Sequence, residues 1–365
     1  MFHFLFILPN LAGGGAEKAI IKISSALADR GHSVDIVAFE KTISYDVPPS
    51  ISTHVLGRRI PKGWIGKRLL ALRLKRFVET LRPTITVSTL PIADEITLMA
   101  GVGSHYCRIA NTLSAEINQI AELQGKVKAK RRLARYRSMY KSPRLIAVSN
   151  GVALDLEATF KTKSPIHVIQ NPFNAARIKQ LASERCNHLP DNYVLHVGRF
   201  VPQKRHDLLF DAWAKTKTDT KLVLLTDPCP ELFYLAKSKG VLTRLHVAGF
   251  QKNPYPWMAN ARFLVLCSDR EGMPNVLIEA LLCGTPVIST DCQSGPREIL
   301  QERLPYALVP CDDANALSER MSAFLSSPPR ADEVNLDAYR EEIIIEKYLE
   351  IARSETKQLD LNNHK

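Results

Sequence analysis

Two carboxylates and two cations stand out by their types and spacing. Seven residues separate Glu271 from Glu279, and Arg199 and Lys204 are five apart. Residues 268–274 are polar and turn-rich, and the helical apolar spacing that follows starts near Pro274 and Asn275. A helix N-terminus there offers backbone N–H groups and a positive dipole end, which suits a phosphate. Glu279 sits about one turn into that helix, where it can accept hydrogen bonds from vicinal hydroxyls such as those of a ribose. Glu271, at a strand's carboxyl end, can hold the hydroxyls of a second ring. Arg199 and Lys204 form a natural clamp for a diphosphate. A diphosphate between two hydroxylated rings describes a nucleotide sugar.

The elements that must hold these groups follow from periodicity. Residues 263–267 read as a buried parallel strand and 275–283 as a helix with apolar positions Val276, Leu277, Ala280 and Leu281. Gly284 and Pro286 mark the helix end, and 287–290 form the next strand. Residues 193–197 are the strand that delivers Arg199 and Lys204, and 221–225 are another. Nearer the start, residues 2–8 form a strand, the loop 9–15 holds three glycines, and a helix runs from about Ala16 to Arg30. Glycines between a strand and a helix let backbone N–H groups approach a ligand closely. Further strands are expected at 33–39, 85–88, 108–111, 145–148 and 166–169, and a last helix at 336–351. The polar residues 352–365 are expected to fray.

The stretch EGMPNVLIEALLCGTPVIST, continued by DCQSGPREIL, resembles the signature of the retaining family-4 glycosyltransferases of GT-B fold, most of all their bacterial surface-polysaccharide members. The resemblance implies an α/β architecture of two Rossmann-like, doubly wound domains facing across a cleft. Residues 1–170 would be the acceptor domain and 171–335 the nucleotide-sugar domain, with 336–365 returning to the first as a helix and tail. It implies catalytic roles for Glu271, Arg199 and Lys204, and donor contacts from Gly272, Met273, Pro274, Asn275 and Glu279. Gly14, Gly15 and Glu17 match the family's glycine-rich loop, near donor phosphate or acceptor, although Glu17 could simply complement a helix dipole. Phe250 and Gln251 fall where the family's backbone meets the nucleobase.

Two positions depart from the family pattern. Where many members carry a histidine near the reacting centre, this chain has Asn111, with His105 nearby but out of register. The family's Gly-Asp-Gly-Pro turn is here TDPCP, of which Asp227 and Pro230 remain.

Charge distribution points to a partner. Residues 1–170 hold 25 Lys and Arg against 12 Asp and Glu, whereas 171–365 hold 24 against 25. Between Gly125 and Leu154 there is no acidic residue, and Lys126, Lys128, Lys130, Arg131, Arg132, Arg135, Arg137 and Lys141 crowd one segment around an Ala129, Leu133, Tyr136, Tyr140 stripe. A second basic run, 58–77, mixes cations with Trp64 and leucines that do not segregate on a helical wheel. The first run suits anionic lipid headgroups, a diphosphate lipid carrier or a phosphorylated saccharide, and would also serve as an ordinary solvated face. The second suits an anionic bilayer surface with Trp64 at headgroup depth, or is a basic solvated helix packed on the sheet.

Seven scattered cysteines without a C-x-x-C pair fit a reduced compartment and no zinc site. The apolar start, MFHFLFILPN, lacks a basic leader and reads as a first strand. The resemblance, with the charge distribution, implies a retaining, metal-independent transferase without a cofactor, moving a hexosyl unit from a UDP-sugar to a lipid-linked or lipopolysaccharide-core saccharide. It would work in the cytoplasm, peripheral on the inner membrane face. A sugar-nucleotide epimerase of the same fold and a transferase for soluble acceptors are the alternatives. A nucleic-acid-binding role finds no recognisable module.

Overall fold

The computed structural model describes residues 1–42, 46–186 and 188–363. The chain divides into two compact units, Met1–Pro172 with Tyr339–Lys365, and Phe173–Ala338.

Unit 1 is built on strands β1 (His3–Leu8), β2 (Ser33–Ala38), β3 (Ser52–Val55), β4 (Ile85–Thr89), β5 (His105–Ile109), β6 (Arg144–Ala147) and β7 (Ile166–Val168). They pair in parallel in the order β3-β2-β1-β4-β5-β6-β7. Parallel strands covered on both faces read as continuous apolar runs, as HFLFIL does. Alternate residues of β1 serve opposite faces. Phe4, Phe6 and Leu8 pack with Ile20, Ile23 and Leu27 and with Ile344, Ile345 and Tyr348 of the last helix. Leu5 and Ile7 pack with Leu70, Leu74, Ala93 and Ile96 on the other side.

Unit 2 carries β8 (Tyr193–Val197), β9 (Lys221–Leu225), β10 (Leu245–Val247), β11 (Leu264–Leu266), β12 (Val287–Thr290) and β13 (Leu308–Val309), all parallel, in the order β10-β9-β8-β11-β12-β13. In both sheets the chain winds outward from the first strand and then returns to its other side. That reversal opens a crevice at the carboxyl ends of β1 and β4, and of β8 and β11, where open α/β sheets bind ligands.

Two expectations are corrected. The strand expected at 108–111 starts at His105 and ends at Ile109. A polar start is tolerated because Ser88 Oγ lies 2.8 Å from His105 Nε2 and gives the ring a partner. The tail expected to fray from residue 352 is helical to Asn363, in a helix that starts at Glu341 after a 3-10 turn, Asp337–Tyr339. Its anchor is polar and distant in sequence: Glu355 accepts hydrogen bonds from Ser104 Oγ (2.8 Å), Tyr106 Oη (2.7 Å) and Arg144 Nη1 (2.5 Å). Residues 364 and 365 lie outside the described residues.

Candidate active site

The loops that leave β8 and β11 flank the crevice of unit 2. After β8 the chain passes Gly198 and Arg199, makes a 3-10 turn at Pro202–Lys204, and enters the next helix through Arg205 in the left-handed region. After β11 it runs through Asp269, Arg270 and Glu271 to the Asn275–Leu282 helix. The two loops are clipped together. Asp269 N donates to Gln203 O (3.0 Å), and Gln203 Nε2 returns a bond to Arg270 O (2.8 Å). Arg205 grips Asp207, Asp269 and Asp312, joining both loops to a third.

Between these clips Lys204 Nζ donates to Glu271 Oε1 at 2.6 Å. Both side chains are largely buried. Sequence alone placed Lys204 on a diphosphate and Glu271 on a sugar, but did not place them on each other. The lysine stem crosses Gly198, where a Cβ would lie 3.3 Å from Lys204 Cδ and 3.4 Å from His196 Nε2. His196 and His206 stand behind it with ring centroids 4.8 Å apart. Burial and then the Lys204 charge lower the His206 imidazole to about 4, and burial takes His196 well below its ordinary value, so both are neutral near pH 7. Lys204 therefore carries the positive charge of this wall. Arg199 is exposed on the same loop, and its guanidinium makes no hydrogen bond or ion pair among the described residues.

Gly272, Met273 and Pro274 are buried, and Pro274 is the N-cap of the helix. They are held from behind by Gly295. Its φ of 93° is one that favours glycine, and a Cβ there would lie 2.3 Å from Pro274 Cδ and 3.3 Å from Gly272 O. The Gly-Pro-Arg-Glu segment thus shapes the helix entry. Asn275 begins the helix, half-buried, and Glu279 lies one turn on, buried and accepting a hydrogen bond from Tyr255 Oη at 3.1 Å. Tyr255 was missed by sequence reasoning, although it lies in the segment that follows Gln251. Phe250 is 55% exposed after β10, beside Gly249 at φ 76°, and Gln251 Nε2 donates to Ala248 O (2.6 Å). The β10 loop and the Asn275 helix are thereby joined through the Tyr255–Glu279 bond.

The remaining sequence candidates lie in unit 1. Gly14 is the N-cap of the Gly15–Ala28 helix, and Glu17 folds back over it, its Oε2 2.3 Å from where a Gly14 Cβ would be. A side chain at position 14 would displace that carboxylate. Asn111 lies past the end of β5, where its Oδ1 accepts from Thr112 N (2.9 Å). His105 starts the same strand, four residues and roughly 13 Å of extended chain from the carboxyl end. Burial lowers its imidazole to about 3. It belongs to a buried network in which Ser88 and Tyr140 donate to Asp94, and so does not replace an active-site histidine at the ligand edge. Among the described residues no group of three or more His, Cys, Asp or Glu could hold a metal ion.

The cations of the β8 loop, the N-terminus of the Asn275–Leu282 helix and the two spaced glutamates thus lie together at the β8/β11 switch point of unit 2. The family described as Glycosyl transferases group 1 matches residues 191–327, and that described as Glycosyltransferase Family 4 matches residues 13–177. The chain belongs to these glycosyltransferases. It is 28% identical, over 87% of its length and 88% of the relative's, to the N-acetylgalactosamine-N,N'-diacetylbacillosaminyl-diphospho-undecaprenol 4-alpha-N-acetylgalactosaminyltransferase of Campylobacter jejuni. Among solved structures it resembles the lipopolysaccharide outer core galactosyltransferase WaaB in its apo form, with a TM-score of 0.68 at 19% identity over 96% of this chain and 99% of that one. It also resembles Anabaena HepE in complex with UDP and glucose, with a TM-score of 0.68 at 16% identity over 99% and 100%. The fold is that of the GT-B glycosyltransferases, two Rossmann-like α/β units.

Proposed function

We propose that this glycosyltransferase moves a hexosyl unit from a UDP-sugar to a saccharide carried on a lipid diphosphate or a lipopolysaccharide core, at the inner face of the cytoplasmic membrane. The observation that carries the reading is the Lys204–Glu271 pair at the β8/β11 switch point, beside the Asn275 helix. The relatives' names support the acceptor class, and the basic balance of residues 1–170 suits an anionic lipid-borne acceptor.

In this reading the bond between the anomeric carbon and the diphosphate oxygen breaks while an acceptor hydroxyl bonds the same carbon from the same face, so the configuration is retained. The acceptor proton passes to the leaving diphosphate, which removes the need for a separate base. Negative charge grows on that diphosphate, and Lys204, Arg199 and the helix N-terminus stabilise it without a metal ion. Glu271 orients the transferred sugar, Glu279 the ribose, and the backbone near Phe250 and Gln251 the base. Gly14, Gly15, Glu17 and Asn111 line the acceptor side.

The experiment is transfer from labelled UDP-hexoses to a bacterial lipid extract in the presence of a chelator. Label moving into the lipid phase with retained anomeric configuration supports the reading. Label recovered only as an epimerised sugar nucleotide, or transfer that requires a divalent ion, contradicts it.

A further inference from the structure

The basic run at residues 58–77 resisted a helical wheel because its apolar residues serve two faces. In the Trp64–Leu81 helix, Leu70, Ala71, Leu74 and Val78 are buried and pack against Leu5, Ile7, Val37, Phe39, Ala93 and Ile96. Ile65, Leu69 and Leu72 point the other way. They recur at i, i+4 and i+7 and are 71%, 58% and 52% exposed, with Trp64 at their head 63% exposed. Single exposed apolar residues are ordinary on a protein surface, but an aligned stripe is not.

The surroundings of the stripe are dominated by cations, and an exposed carboxylate, Glu79, stands two turns beyond Leu72 in an ion pair with Lys75. From Arg58 to Val78 there is no Asp or Glu, and Arg58, Arg59, Lys62, Arg68, Arg73, Lys75 and Arg76 are exposed. The helix is also fixed in place. Lys67 Nζ bonds Glu95 Oε2 at 2.7 Å, Gly66 gives Pro61 room to pack, and the Arg68 guanidinium lies 5.2 Å from the Trp64 ring centroid. The same combination recurs where Leu123 and Val127, 64% and 65% exposed, flank Gly125 beside Lys126 and Lys128.

We infer that the outward stripe Trp64, Ile65, Leu69 and Leu72 is the surface by which this protein docks on an anionic bilayer, with the indole and aliphatic side chains in the headgroup layer and the flanking cations on lipid phosphates. The inference rests on the proposed membrane-borne acceptor. A bilayer suits the patch because long cationic stems can spread along the interface while the apolar stripe sinks between headgroups. Charge complementarity selects anionic lipid. Among the described residues no helix is long and apolar enough to cross a membrane, so such a contact lies in the interface plane.

Tryptophan fluorescence of the full chain tests this directly. Of the three tryptophans, Trp213 and Trp257 are buried, so a vesicle-induced emission shift reports Trp64. Phosphatidylglycerol-rich vesicles should shift the emission to the blue, phosphatidylcholine vesicles should not, and Trp64→Phe should abolish the shift. Ile65→Ser/Leu69→Ser/Leu72→Ser should weaken cosedimentation with the anionic vesicles by about tenfold or more. Its melting temperature and UDP binding should stay as in wild type. If that variant and wild type bind the vesicles equally and Trp64 emission does not move, the docking surface is elsewhere and the inference fails while the membrane-borne acceptor survives. If wild type binds neither vesicle, both fail. An emission shift that follows protein concentration without vesicles, with dimers in sedimentation, would make the patch a self-association face and overturn the inference.

Discussion

Lys204 Nζ and Glu271 Oε1 are 2.6 Å apart, so the cation suited to a leaving diphosphate and the carboxylate suited to the transferred sugar hold each other. A nucleotide sugar placed between them would replace one ion pair with two charge-assisted contacts.

The two partners should therefore fail differently. Lys204→Ala is expected to weaken UDP binding and to lower turnover about 100- to 1,000-fold, as loss of an electrostatic stabiliser does. Glu271→Gln frees the lysine, so it should bind UDP as tightly as wild type or more so, yet lose turnover. Calorimetry with UDP alongside single-turnover kinetics checks this. Equal losses of UDP affinity in both variants would argue against separate roles.

Tyr255 Oη donates to the buried Glu279 carboxylate. Tyr255→Phe should cost about 1 kcal/mol of nucleotide affinity, the worth of one hydrogen bond that orients its acceptor. Glu279→Gln should cost more and should erase the preference for UDP over its 2′,3′-dideoxy analogue. A preference that survives in Glu279→Gln would move the ribose contact elsewhere.

Gly295 combines a φ of 93° with a backbone pressed against Pro274. Gly295→Ala meets both strain and a clash, and is expected to cost about 1–3 kcal/mol of stability while loosening the helix entry. Thermal unfolding should show the loss, and donor affinity should fall with it. Gly31, where a Cβ meets nothing within 4 Å but φ is 80°, provides the control for conformational strain alone.

Two buried carboxylates of unit 1 should give stability opposite dependences on pH. Burial raises the Asp94 carboxyl to about 7 despite hydrogen bonds from Ser88 and Tyr140. Its folded form favours the proton, so that contribution is full below the ordinary aspartate range and is lost as pH rises through about 7. At Glu355 burial acts upward too, but bonds from Tyr106, Arg144 and Ser104 outweigh it and hold the carboxyl below its ordinary 4.5. That contribution is present above 4.5 and is lost as pH falls through the lower folded value. Denaturant titrations across pH should lose the neutral slope in Asp94→Asn and the acid slope in Glu355→Gln. Unchanged slopes would contradict the assignments.

Much of this was readable in sequence because it is local. The strands at 193–197 and 221–225 and the helix that carries Glu279 follow from apolar runs and a glycine stop. What was not readable depends on partners distant in the chain. The helix beyond Ile351 looked polar because Glu355 finds its donors at positions 104, 106 and 144. Lys204 and Glu271 lie 67 residues apart, and only the side-by-side placement of β8 and β11 makes them a pair. The basic helix at 64–81 defeated a single amphipathic wheel because it is apolar on both its inner and its outer face.

The central claim is that the loops after β8 and β11 bind the diphosphate of a nucleotide sugar. It is tested most directly by calorimetric titration of wild type and Lys204→Ala with UDP, GDP, ADP and dTDP in the presence of a chelator. UDP should bind wild type in preference to the others, and about tenfold or more weaker to the variant. Binding of no nucleotide to wild type, or binding indifferent to the loss of Lys204, would contradict it.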